Sequence, residues 1–473
     1  MGRIPRLAAC AFSAPYAKLL LPDETEADCE DEQAVTDPAK GRNRTLVGAL
    51  SQDLGNHVMS GRASNRLSSH KPLRAAWRAL PAGIWALGFG SLFMDASSEM
   101  IHSLLPVFMV TTLGASMVTV GIIEGIAEAT AAILKVFSGT LSDYLRKRKF
   151  LMILGYGLAA FTKPVFPLAE SIGWVFSARF VDRIGKGIRG APRDALVADI
   201  TAPELRGAAY GLRQSLDSAG ALLGPLLAVA FMAWLAGNIR AVLWVAVAPA
   251  FIAVALLLIF VREPEKERTD GHVKAPLTLA DARRLPLRYW LVVLLGAVFT
   301  LARFSEAFLV LRAQDIGLAP GYVPVVMVVM NVFYAGAAYP AGAAADRFRP
   351  RVLLLAGLVL LVASDVVLAI ATEMVAVFGG AALWGLHMAF TQGLLSKLVA
   401  DTVPERLRGT GFGIFNLVSG GALLLASILA GALWSAVGPS ATFLAGAVFA
   451  AVAAIGLATL RPASRPALDS NGL

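Results

Sequence analysis

The chain has 473 residues, 57% of them apolar and only 16% charged, with a net charge of +9 and a mean hydropathy of +0.66. Soluble domains carry roughly a quarter charged residues, so this balance excludes an ordinary water-soluble protein. The two cysteines, Cys10 and Cys29, stand close together near the N-terminus without metal-ligand spacing or a disulfide framework.

Residues 1–80 hold a short apolar stretch, Leu7 to Leu21, broken by Pro15 and Lys18 and followed by the acidic run Asp23 to Asp37. It is too short to span a bilayer. This segment is expected to be a disordered cytoplasmic tail; translation from Met59 is an alternative start.

Twelve apolar segments follow, near 82–110, 117–140, 150–168, 172–197, 207–235, 240–261, 288–313, 320–343, 351–371, 374–399, 409–435 and 440–461. Runs of about 20 such residues cross a membrane as helices, because unpaired backbone is too costly there. The expected fold is therefore an all-α membrane protein of twelve transmembrane helices. Residues 81–261 would form one six-helix bundle and 288–461 another. Residues 262–287 would be a cytoplasmic linker and 462–473 a cytoplasmic tail.

Lys and Arg concentrate in alternate connections: Arg146 to Lys149, Arg206, Arg262 to Arg284, Arg347 to Arg351, and Arg406 with Arg408. Positive loops stay in the cytoplasm, so both termini are expected inside a cell inner membrane. Arg240 is the visible exception. The net charge is read as this bias and as contact with anionic lipid, not as nucleic-acid binding.

Ionisable residues at membrane depth mark function by default. Helix 1 carries Asp95, Glu99 and His102 on one face. Helix 2 adds Glu124, Glu128 and Lys135, and helix 3 adds Lys163. Helix 4 bears a stripe of Arg179, Asp182, Arg183, Lys186, Arg189, Arg193 and Asp194, and helix 5 has Arg213 and Asp217. The C-terminal half is sparser, with Arg303, Glu306, Arg312, Asn331, Asp365, His387, Gln392, Lys397 and Asn416 beside aromatics such as Trp384. A carboxyl group at such depth can load and release a proton near neutral pH when a basic partner comes and goes. Asp95, Glu99, Asp182, Asp217 and Glu306 are the proton-coupling candidates, with Arg179 and Arg183 as partners. His102, Glu124, Glu128, Arg179, Arg183, Lys186, Arg213, Arg303, Asn331, Trp384, His387, Gln392 and Asn416 are candidates for the substrate cavity. No catalytic residue, cofactor, metal site or nucleotide-binding loop is indicated, so an enzyme is not expected.

The two halves repeat one another. Gly139 and Asp143, followed by Arg146 and Arg148, recur as Gly342 and Asp346, followed by Arg347, Arg349 and Arg351, at an offset of 203 (342 minus 139). Arg206-Gly207 recurs as Arg408-Gly409 at an offset of 202 (408 minus 206). Ser98-Glu99 aligns with Ser305-Glu306, which would set Glu99 and Glu306 opposite each other. Internal duplication is a signature of secondary transporters, whose site lies between the repeats.

With these loops after helices 2 and 8, residues 82–461 resemble the major facilitator superfamily. The resemblance implies that Gly139, Asp143, Arg146, Arg148, Gly342, Asp346, Arg347 and Arg351 form a latch tuning the rocking of the halves. The two glycines are expected to let each helix end approach its neighbour closely. In helix 4, Arg179 to Gly187 resembles a motif linked to proton transfer, although Asp182 stands where the family has Gln and Arg183 where it has Gly. In helix 5, Gly220, Gly224 and Pro225 resemble the packing motif of drug:proton antiporters, with Leu227-Ala228 replacing its closing glycines. The expected protein is a monomeric permease that moves a small molecule by alternating access, exporting it in exchange for protons. A proton symporter or uniporter importing an organic anion is the first alternative; a non-transporting receptor on the same fold is the second.

Overall fold

The structure is a computed structural model that describes residues 79–145, 147–263, 285–391, 394–403 and 407–459, which belong to one compact unit. The expected N-terminal tail, most of the linker, the C-terminal tail, Arg146 and Gln392 lie outside the described residues. So do the side chains of Asp143, Asp346 and Arg347 and the surroundings of Gly342.

The helices of the first half are α1 (Ala82–Val107), α2 (Met117–Leu145), α3 (Arg148–Leu168), α4 (Ile172–Ile200), α5 (Arg206–Trp234) and α6 (Ile239–Phe260). The second half has α7, broken into Leu287–Leu301 and Ala307–Asp315, then α8 (Val325–Arg347) and α9 (Pro350–Ile370). It continues with α10 (Met374–Thr391, with Leu394–Thr402 beyond it), α11 (Arg408–Ala436) and α12 (Pro439–Thr459). No strand occurs among the described residues. Among the described residues, eight helices are long and apolar enough to cross a membrane by themselves. The four that fall short are α1, α4, α7 and α8. Charge dilutes α1 and α4, and α7 and α8 offer only the shorter apolar stretches Leu287–Leu301 and Val325–Ala338.

Packing repeats with the sequence. In the first half α1 lies against α5 and α6, α4 against α2 and α3, and α3 against α6. Adding six to each label gives the packing of the second half: α7 against α11 and α12, α10 against α8 and α9, α9 against α12. The halves meet through α2 with α11, α5 with α8, and α1 with α7. These pairs are consistent with one twofold pseudo-axis.

The meeting is tight at one end only. A side chain at Gly431 would lie 2.3 Å from the Met117 carbonyl, and one at Gly121 would lie 2.2 Å from that of Ser427. One turn further along, Gly125 has 3.0 Å to Leu424, and at Gly420 the gap to Ala129 is 3.5 Å. Thus α2 and α11 part toward the ends that carry the basic loops. The apolar core follows the same gradient. One cluster runs through both halves at the far end, from Met100 and Phe108 to Phe308 and Trp434. At the basic end there are two separate clusters, one around Tyr156 and Leu257, the other around Tyr289 and Phe415.

Candidate functional site: the cavity between the halves

The divergence of the halves leaves a cavity of about 410 Å3, walled by α1, α2, α4 and α5 on one side and by α7, α8, α10 and α11 on the other. A second lobe of about 520 Å3 continues toward the basic end, sharing Glu99, Glu128, Lys186, Ala221, Asn331 and Leu423 with the first. Both volumes lie within the roughly 300–1,000 Å3 of small-molecule sites.

Helix 5 sets the position of Glu99. An added Cβ at Gly224 would sit 2.7 Å from Glu99 Cβ and 2.8 Å from the Ala96 carbonyl, and one at Gly220 would sit 2.5 Å from the Leu92 carbonyl. Two glycines four apart therefore let α1 press its acidic face along α5. Glu99 Oε2 lies 3.4 Å from His102 Nδ1. The other ring nitrogen, Nε2, lies 3.5 Å from Glu124 Oε2, at ion-pair distance without hydrogen-bond geometry.

Behind this edge the first half is knitted by buried ion pairs. Arg179 donates to Glu124 at 2.7 Å and comes within 3.8 Å of Glu128, which Arg183 holds at 2.9 Å. His102, Glu124 and Glu128 bring ligand atoms within 4.8 Å of one another. Arg179 already supplies the cation among them, so the trio fits a guanidinium better than a metal ion. Nearer the basic end, Asp95 lies 3.8 Å from Arg189, while Asp217 is held by Arg213 at 2.9 Å and by Arg193 at 3.6 Å. Arg189 also lies over the Tyr156 ring at 4.6 Å.

Asp182 differs from the sequence-based expectation. Its partner is Lys163 of α3 at 2.8 Å, not Arg179 or Arg183, and it does not line the cavity. The reason is helical phase: Arg179 and Arg183, four apart, share the face toward α2, whereas Asp182 turns toward α3. Lys163 Nζ also donates to Ser98 at 3.0 Å, tying α3 to α1. Glu124 and Arg213 are likewise buried behind the wall.

In the second half, α7 breaks at residues 302–306, placing Arg303, Phe304, Ser305 and Glu306 on the wall. Glu99 and Glu306 thus line one cavity from opposite halves. Trp384 lines it too, packed against Phe304 with ring centroids 5.6 Å apart. Asn331 belongs to both lobes and donates to the Ala221 carbonyl at 3.2 Å, a hydrogen bond between the halves. His387 is fully buried, with Nδ1 2.8 Å from the Gly357 carbonyl, and lines neither lobe; nor does Asn416. Sequence reasoning passed over Thr300, Met327, Met330, Met388 and Leu423, whose apolar or small side chains look like any core position until the gap between the bundles is seen.

The basic loops differ from expectation at Gly139. A Cβ there would meet Ala191 at 3.6 Å, an ordinary contact. The two helices approach more tightly at Gly187, where a Cβ would come within 2.6 Å of Leu134. Arg148 pairs with Asp199 and donates to the Ala195 carbonyl at 3.3 Å, and Arg351 donates to the Ala458 carbonyl. Each ties two helices of its own half, at matching places 203 residues apart (351 minus 148). Arg240, the exception to the charge bias, donates to the carbonyls of Pro167 at 3.1 Å and Ala169 at 2.9 Å and so caps the end of α3.

Two six-helix halves around a central cavity define a secondary membrane transporter. The profile of the Major Facilitator Superfamily matches residues 87–312 and 303–472. The MFS-type transporter MJ1317 of Methanocaldococcus jannaschii is 31% identical over 389 residues, covering 80% of this chain and 94% of that one. The multidrug resistance protein MdtH of Edwardsiella ictaluri is 26% identical over 351 residues, covering 73% of this chain and 85% of its own. Among solved structures, the nucleoside transporter NupG superposes with a TM-score of 0.66 at 14% identity, over 79% of this chain and 98% of its own. The chain belongs to the major facilitator superfamily.

Proposed function

We propose that the protein is a proton-coupled secondary transporter that moves a small organic solute across the cell inner membrane by alternating access. The observation that carries this reading is the cavity between the halves. It is lined by Glu99 and Glu128 from one half and Glu306 from the other, within reach of cations on both. Both termini and the basic loops would face the cytoplasm, so the halves part on the cytoplasmic side. Protons would load at Glu99, Asp95, Asp217 or Glu306, and Asp182 with Lys163 would hold α3 and α4 together. The Gly139 and Gly342 loops would act as the latch, and the protein would work as a monomer without catalysis.

Export in exchange for protons is the direction supported by the Gly220, Gly224 and Pro225 pattern and by likeness to proteins named for multidrug resistance. One observation favours the second reading, entry of an organic anion together with a proton: Lys186 and Arg303 line the cavity and make no ion pair among the described residues. Everted vesicles carrying a preformed pH gradient separate the two. Exchange requires that added solute dissipates the gradient; co-transport requires that solute entry follows the proton.

A further inference from the structure

Eleven charged residues line the two lobes together with His102: the acids Asp95, Glu99, Glu128, Asp217 and Glu306, and the bases Lys135, Arg183, Lys186, Arg189, Arg193 and Arg303. Most are spent on one another. Arg183 holds Glu128, Arg189 faces Asp95, Arg193 faces Asp217, and His102 meets Glu99. In the inner lobe two cations remain uncommitted. Lys186 of α4 is exposed to the cavity and makes no hydrogen bond or ion pair among the described residues. Arg303, in the break of α7, has a buried Nε without a partner, and its nearest ring, Phe299, is 6.0 Å away. Among the described acids that line the lobes, the Glu306 side chain makes no hydrogen bond or ion pair, with Arg303 included. Further toward the basic end, Lys135 lines the second lobe and makes no ion pair among the described residues.

A cation at membrane depth is expensive and is kept where something pairs with it. Guanidinium and ammonium groups differ in what they recognise: the planar fork of Arg grips a carboxylate at two points, and Lys adds a mobile point charge. Here one comes from each half. Beside the charged groups already named, the inner lobe has an apolar and aromatic wall of Phe304, Trp384, Met327, Met330 and Met388. We infer that the transported solute is an organic anion with an apolar body, its carboxylate or similar oxyanion bridging Lys186 and Arg303 and its body lying against Phe304, Trp384 and the methionines. An anion seated there would close two charges from opposite halves onto one group, which favours drawing the halves together around it. The inference rests on the transporter reading, and it holds for either direction of coupling.

Binding is measured with the full chain in detergent, by thermal shift titrated with phenylacetate, cinnamate and hexanoate, each beside the amide and the amine of the same skeleton. The acids are expected to stabilise the protein and the amides and amines not to. Lys186→Gln and Arg303→Gln should each weaken acid binding by about 10- to 100-fold, the value of a charge-assisted hydrogen bond. Arg303→Lys, which keeps the charge, should restore part of the loss. Arg288→Gln, an exposed cation outside the cavity, should bind the acids as the natural protein does. Melting of the unliganded variants reports whether they fold. The inference is overturned if no acid stabilises the protein, if amides or amines do so equally well, or if folded Lys186→Gln and Arg303→Gln bind acids unchanged. Acid binding that needs Lys186 and Arg303 but comes without uptake or exchange in proteoliposomes would overturn the transporter reading, and transport of the anion with it, while supporting the anion site itself. Transport of an amine or amide without acid binding would overturn this one alone.

Discussion

Glu99 is a carboxylate pressed by α5 against a cavity it shares with Glu306, and its hydrogen-bond partner is a histidine one turn away. Glu99→Gln keeps the shape and removes the charge, so the variant should insert and fold but lose proton-coupled transport. The check is solute-driven pH change in vesicles; unaltered pH dependence would remove Glu99 from the coupling. Lys163 and Asp182 make a different case, since both are almost wholly buried and each is the other's partner. Lys163→Gln should cost about 3–5 kcal/mol by stranding a buried carboxylate. The double change Lys163→Met with Asp182→Leu should recover most of the melting temperature, because an apolar pair of similar volume is often as stable as the ion pair. If the double variant still transports with its normal pH profile, Asp182 is a structural residue.

At the scale of helices, small residues decide which pairs come close. Gly220 and Gly224 bring α5 onto α1, and Gly155 and Gly185 do the same for α3 and α4, where an added Cβ would lie 2.5–2.6 Å from the facing carbonyl. Gly224→Ala would push a methyl into the Glu99 stem. It should destabilise the protein by about 1–3 kcal/mol, the range for overpacking, and lower turnover by displacing Glu99; thermal unfolding and transport assays read the two effects. Helix ends follow a related logic. The third helix of each half finishes in carbonyls held by a guanidinium, from the half-buried Arg240 in the first half and from the buried Arg312 in the second, where it reaches Leu368 at 3.0 Å and Ala371 at 2.8 Å. The two arginines come from non-equivalent helices, so the need is repeated although the residue is not. The broken α7 was read from sequence as one apolar run, since Arg303 and Glu306 alone do not announce a break and residues 302–306 carry neither Gly nor Pro.

For the whole molecule, the seam between the halves is closed where Gly121 and Gly431 let α2 and α11 touch and open toward the basic loops. Any side chain at those glycines meets a carbonyl of the other half. Gly121→Val should therefore shift the population toward the state open at the opposite end. Cysteines placed near Thr112 and Val437 would then label faster; unchanged labelling would show that this contact does not set the balance. Asp143→Asn should lower turnover more than solute affinity, because a latch acts on the conformational equilibrium. Equal loss of binding would argue against a latch. Much of this was legible in the chain. Apolar runs and alternating basic loops predict the helices and their order, because membrane depth leaves backbone no other way to pair. A shared offset predicts the two halves, and charges at membrane depth predict a polar interior. Which charge meets which was decided by tertiary structure alone. Helical phase turns Asp182 to Lys163 and Arg179 to Glu124, and Lys186 and Arg303 face the cavity with no ion pair among the described residues. Composition and spacing act along one chain, whereas the pairing of a buried charge depends on the distance between helices that are far apart in sequence.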